Sequence, residues 1–110
     1  MNENEQEKWR LENEKLRGDL EIRVEKYKNT TQSALQKVSL IPKKDTKEYT
    51  IAMDFLTMAN HYFNDGLHFQ TQGDLLLALA SFSYAHAWLD AGVRAGIMDG
   101  KDDDKLFTLP

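Results

Sequence analysis

Apolar residues return along the chain at helical intervals in three places. From about Asn2 to Ser39 they fall at Trp9, Leu16, Leu20, Val24, Tyr27, Ala34 and Val38, with Thr31 among them. At about 100° per residue these positions line one stripe, so the segment reads as a long amphipathic helix. Its other faces carry Glu, Lys, Arg, Asn and Gln. Gly18 interrupts the pattern at a cost of about 1 kcal/mol relative to Ala, so the turns before it are expected to fray or kink. Pro42 ends the segment, because it has no amide hydrogen and disfavours helix in the residue before it.

The second run spans about Thr46 to Thr71. It opens on Asp45-Thr46-Lys47-Glu48, which reads as an N-cap followed three positions later by an acid. Ala52, Phe55, Leu56, Ala59, Tyr62, Phe63, Gly66 and Phe69 share one face. Gly73 is placed to end this helix in the left-handed conformation, and Asp74 to cap a third, from about Leu75 to Met98. Nearly every position of the third is apolar or small, apart from Ser81, Ser83, His86, Asp90 and Arg94. A helix apolar all round is covered on more than one side. Ala78, Ala85 and Gly92 recur every seven residues, with Phe82, Leu89 and Gly96 on the adjoining row, a seam that admits the close approach of another helix. A polar turn over 99–105 then leads into Leu106-Phe107-Thr108-Leu109, expected to fold back on the bundle. The pattern predicts an all-α fold: an antiparallel three-helix bundle with a long N-terminal helix, forming one domain over residues 1–110. Residues 1–15 are a helical extension, either frayed or used in oligomerisation.

Composition narrows the chemistry. The chain has 110 residues, 41% hydrophobic and 29% charged, with a formal net charge of −4 and no cysteine. Disulfides, thiolate metal sites and cysteine nucleophiles are therefore excluded. Residues 1–28 hold seven basic and eight acidic side chains, mixed rather than blocked, which is a solvated face and not a nucleic-acid patch. Residues 49–98 hold one base, Arg94, against four acids, so helix-borne base readout is not expected. The longest apolar run, Leu75 to Ala80, is far short of the roughly 20 residues that span a bilayer. The acidic start has no apolar run behind it and does not read as a signal peptide, so a cytoplasmic location is expected.

Two resemblances sit on these residues. Gly66, Phe69, Ala78 and Phe82 resemble the spacing of a tetratricopeptide unit, with Gly73-Asp74 at its turn and Ala85 at its second-helix small position. Tyr62 stands where that unit has Trp, Asp65 where it has Leu, no Pro closes it, and one copy is present. The resemblance implies a tetratricopeptide-like helical hairpin rather than a repeat array. A longer match runs through Met58-Ala59, Tyr62, Asp65, His68-Phe69, Gly73-Asp74, Ala78, Tyr84-Ala85-His86, Trp88-Leu89-Asp90-Ala91-Gly92, Arg94 and Gly96. These residues resemble the archaeal domain-of-unknown-function family 357. That resemblance implies a small antiparallel helical bundle and brings no catalytic residues with it.

Candidate chemistry is sparse. His61, Asp65 and His68 stand at i, i+4 and i+7 on one polar stripe, a spacing that could hold Zn²⁺ or a similar ion. The alternative is a solvated face whose neighbours interact weakly. His86, Asp90 and Arg94 form an i, i+4, i+8 ladder with Ser83 one turn before it. A serine triad needs a strained nucleophile and an oxyanion hole, which a regular helix does not supply. The ladder reads as structural, with Asp90 and Arg94 satisfying each other on an apolar helix. Trp88 with Tyr84, and Tyr62 with Phe69, read as core. No phosphate loop, nucleophile elbow or calcium loop is present.

The expected function is a non-enzymatic interaction or assembly module needing no cofactor. Trp9, Leu11 and Leu16 on the overhanging helix, and Leu76, Leu77 and Leu79 around the third, exceed what one chain covers. A homodimer is the expected way of covering them, and a different protein partner is the rival. A small metal-dependent or acid–base enzyme, or an accessory domain to a partner enzyme, are the alternatives.

Overall fold

The computed structural model describes residues 2–110. Its elements are α1 (Glu3–Lys37), β1 (Ser39–Leu40), α2 (Lys47–Thr71), α3 (Leu75–Arg94) and β2 (Met98–Asp99). The three helices run up, down and up. The expected all-α bundle is what forms, with two short strands added. Met1, the first residue of the expected extension, lies outside the described residues. Among those residues, no helix is long and apolar enough to cross a membrane.

α1 starts at a full capping box: Asn2 Oδ1 accepts from Glu5 N at 2.8 Å, and Glu5 Oε2 accepts from Asn2 N at 3.3 Å. The helix then continues unbroken through Gly18. The expected fray or kink does not form, because a glycine's propensity penalty is small beside a capped, cooperative helix. α2 begins one residue later than the pattern predicts. Asp45 sits in the left-handed region at φ 66°, and Thr46 is the cap, its hydroxyl accepting from Tyr49 N at 3.1 Å.

Both α2 and α3 end in glycine motifs. Gly73 has φ +77°, with Gly73 N donating to Gln70 O and Asp74 N to Phe69 O. Gly96 has φ +76°, with Gly96 N donating to Val93 O and Ile97 N to Gly92 O. These are two Schellman turns, each satisfying carbonyls left open at a helix end. The second stops α3 at Arg94, before the predicted Met98, and frees Met98–Asp99 to pair antiparallel with Ser39–Leu40. Ile41 N extends this clasp to Ile97 O at 3.1 Å. The C-terminal ends of α1 and α3 are thereby tied together.

The core lies in two layers along α3. One holds Val24, Phe63, Leu75, Ala78, Phe82 and Ala85, and the other Ala34, Ala59, Leu89, Val93, Met98 and Phe107. At Gly66 a Cβ would stand 2.5 Å from the Phe82 ring. This is the close approach that the tetratricopeptide-like spacing predicts. The seam of Ala78, Ala85 and Gly92 is also used inside the chain. Both alanines are fully buried, and the Met98 thioether fills the space beside Gly92. The close approach that this seam admits is thus made within the chain.

The N-terminal end of α1 stands clear of the bundle. Every residue from Glu3 to Arg17 is exposed, and Arg17 reaches the α2–α3 turn at Gly73. The molecule measures 67 × 25 × 18 Å, with a radius of gyration of 18.1 Å against about 13 Å for a compact chain of this length.

The two crowded glycines give a paired test. Gly66→Ala and Gly92→Ala gain the same helix propensity, so their difference reads the clash. Gly66→Ala is expected to cost about 1–3 kcal/mol, because the Phe82 ring is held in the core. Gly92→Ala should cost less, since the flexible Met98 side chain can give way. Urea melts of both variants measure the difference.

Candidate functional site

The polar ladder on α3 holds the C-terminal segment in place. His86 Nε2 lies 2.6 Å from Leu106 O, and since a carbonyl only accepts, that nitrogen donates. His86 Nδ1 faces the Thr31 hydroxyl of α1 at 3.1 Å. Asp90 Oδ1 accepts from Thr108 N at 2.9 Å, and Arg94 Nη1 donates to Leu109 O at 2.8 Å. Among the described residues no ion pair joins Asp90 to Arg94. The expected mutual pairing is corrected: each side chain instead satisfies a backbone group of the returning segment, which lies nearer than the next turn of helix. His86 and Asp90 do approach one another, at 3.8 Å. Between the polar contacts Phe107 is buried, and its ring lies against Gly100.

The turn before this strap is held by Asp103. Its Oδ1 accepts from Lys105 N and Leu106 N, both at 3.0 Å, and its Oδ2 pairs with Lys37 Nζ at 2.8 Å. The Lys37 hydrogen bond and then the Leu106 amide hold the Asp103 carboxyl below the ordinary aspartate range.

Beside the strap, a cleft of about 400 Å³ opens between α1 and α3. Lys26, Tyr27 and Thr30 line one wall, Ser83, His86 and Asp90 the other, and Lys105 the rim. Among the described residues Ser83 makes no hydrogen bond to His86, both of whose ring nitrogens already face structural partners. The geometry therefore lacks a nucleophile–base pair.

The remaining candidates are not brought together. His61, Asp65 and His68 are all exposed on α2. Among the described residues, no group of three or more His, Asp or Glu side chains could hold a metal ion. The aromatic residues pack across the hairpin: Phe55 meets Trp88 edge-on at 5.1 Å, and Tyr62 meets Tyr84 at 4.3 Å. Trp88 Nε1 is buried without a hydrogen-bond partner among the described residues.

The apolar surface candidates divide. Trp9, Leu11, Leu16, Leu76 and Leu77 are 60%, 52%, 66%, 70% and 47% exposed. Leu79 is half-buried against the first core layer, so it is withdrawn as an interface residue. The sequence pattern did not single out the rest of α3's outer face. Ala80, Tyr84, Ala87 and Ala91 are all exposed and continue the row begun by Leu77. Assigning the buried face to Ala78, Phe82, Ala85 and Leu89 leaves this row on the opposite side, and that is the signal that could have found it.

A model of the family described as "Protein of unknown function (DUF357)" matches residues 26–98. The chain belongs to this family. The DUF357 match runs from the middle of α1 through the first residue of β2. It includes the Gly66–Phe82 contact and the three ladder residues. The α1 overhang and the strap lie outside it. No curated protein and no solved structure matches the chain.

Two outcomes follow from the strap. Asp90→Ala is expected to cost about 1.5 kcal/mol, the worth of a hydrogen bond to a charged group, and Asp90→Asn less, because an acceptor for Thr108 N remains. A loss below about 0.5 kcal/mol in urea melts, the range of an ordinary surface site, removes this role. The second outcome concerns pH. Asp103 is depressed in the folded chain, so its contribution is present above the ordinary carboxylate range and is lost as pH falls through the lowered value. The stability gap between the natural chain and Asp103→Asn should therefore be widest near about pH 7 and close toward about pH 3. Denaturation curves at both values measure it.

Proposed function

We propose that this chain is a non-enzymatic interaction and assembly module. One observation carries the reading: a capped helix projects 15 exposed residues past its bundle and displays Trp9, Leu11 and Leu16 to water. Burying one such side chain contributes about 1.5–3 kcal/mol, so a surface of this kind favours association. Self-association is the form we favour, because the outer row of α3 offers a second apolar surface on the same chain. The setting we propose is an archaeal cytoplasm, following the resemblance and the acidic, cysteine-free composition.

The enzyme alternative has less support. His86 and Asp90 are spent on the strap, and among the described residues His61, Asp65 and His68 belong to no group that could hold a metal ion. An accessory role to a partner enzyme uses the same surface and differs only in what covers it.

Light scattering of the full chain tests the reading. At concentrations on the order of tens of micromolar, where weak specific dimers form, the mass is expected at twice the 12.7 kDa of one chain. Trp9→Glu with Leu16→Glu should return it to one chain mass while leaving the melting temperature within a few degrees, since neither residue packs on the core. A full-length chain that scatters as a monomer removes self-association.

A further inference from the structure

We infer that the cleft between α1 and α3 binds a small organic phosphate, a monoester whose phosphoryl group sits between Lys26 and Lys105. The inference goes beyond the assembly reading and does not rest on it.

The cleft has the size of a small-ligand site. Its volume of about 400 Å³ lies within the roughly 300–1,000 Å³ that such sites occupy. Its polar lining divides into two sets. One set is committed to the fold. His86 holds Leu106 O and faces Thr31, Asp90 accepts from the amide and the hydroxyl of Thr108, and the Thr30 hydroxyl donates to Lys26 O. The other set is unengaged. Among the described residues, Lys26 Nζ, Lys105 Nζ and the hydroxyls of Tyr27 and Ser83 have neither a hydrogen bond nor an ion pair. All four groups can donate, and two of them are cations.

The fold brings the four to one end of the cleft. The strap meets α3 with Leu106 at His86 and Thr108 at Asp90, so Lys105 comes before His86, on the side of Ser83. Thr31 faces His86, and α1 runs in the same direction as α3. Lys26 and Tyr27, about one turn earlier than Thr31, therefore also lie on the Ser83 side. Asp90 is the acid on the cleft wall, two turns or about 10 Å along α3 from Ser83, so its charge leaves that end open. Glu25 and Asp103, on the flanking elements, are neutralised by Lys28 and Lys37. The chain's net charge of −4 gives its surface no general pull on anions, so the attraction is local to this pair of lysines. Donors from α1, α3 and the strap turn arrive from separate directions, which fits a tetrahedral oxyanion. A planar carboxylate is best met by the fork of an arginine, and no arginine lines the cleft. Ala87 and the Tyr27 ring supply apolar wall for the organic part of the ester.

Titration of the full chain with phenyl phosphate at fixed ionic strength, followed by amide nuclear magnetic resonance, tests the site. Saturable shifts are expected at Lys26, Tyr27, Ser83 and Lys105, with half-saturation on the order of 1 mM or below. Lys26→Gln and Lys105→Gln should each weaken binding about tenfold or more, the effect of losing one charge-assisted contact. Lys8→Gln, which removes an exposed lysine on the overhang, should leave it unchanged. All three side chains are exposed, so the melting temperatures of the variants should match that of the natural chain. Inorganic phosphate and benzoate should each bind more weakly than phenyl phosphate. Shifts that do not saturate overturn the site, as does an equal loss from Lys8→Gln, which means diffuse charge. Inorganic phosphate binding as tightly overturns the organic half of the assignment, and benzoate binding as tightly overturns the phosphoryl half. A chain that scatters light as a monomer removes self-association and leaves this result intact.

Discussion

The bundle depends on how closely α2 can approach α3. At Gly66 no side chain stands between the α2 backbone and the Phe82 ring, and a single methyl there would have to displace an aromatic held on all sides. The short distance lets Phe63 tilt against Phe82 and lets Tyr62 and Phe55 meet Tyr84 and Trp88 edge-on. A wider spacing would lose these contacts together, since dispersion falls away within an ångström of the optimum. α1 then packs on the finished hairpin. Val24, Thr31 and Ala34 are its buried residues, about two turns and one turn apart, so its anchoring belongs to its second half.

The opposite end of the molecule is fastened differently. Two Schellman turns and a two-residue strand pair replace what would otherwise be loose connections. Met98 enters the gap beside Gly92, and the chain then turns through Lys101 and Asp102, both left-handed at φ 58° and 57°. Such conformations cost roughly 1 kcal/mol or more each for residues with a Cβ. Asp99 Oδ1, accepting from Lys101 N, and Asp103, accepting from two amides, hold the turn against that cost. One end of the bundle is clasped and the other is a free helix, which accounts for the elongated shape.

Periodicity made the helices and their order legible, because each buried face repeats over several turns and one misplaced residue does not disturb it. The hairpin contact was legible too, since Gly66 and Phe82 are of the types that such an approach needs. Boundaries were harder. Asp45 and Thr46 are both good caps, and only the left-handed backbone at Asp45 decides between them. Gly96 in phase with Phe82 and Leu89 looked like part of a seam, whereas its use is to end the helix. The clasp left little trace in the pattern, because two residues per strand are too few to alternate. The ladder spacing on α3 was legible, but its partners were not: Asp90 and Arg94 are within reach of each other in sequence, and only the fold brings Thr108 and Leu109 closer.

The strap has a consequence for which letters its sequence can carry. His86, Asp90 and Arg94 grip the carbonyls of Leu106 and Leu109 and the amide of Thr108, groups that belong to the backbone and not to a residue type. These grips read no side chain at 106, 108 or 109, although Leu106 and Leu109 also pack in part on the second core layer and the Thr108 hydroxyl reaches Asp90. Proline is barred from position 108, because it has no hydrogen to offer Asp90. Phe107, packed against Gly100 and Val93, is the one side chain in the strap whose identity the fold reads in full.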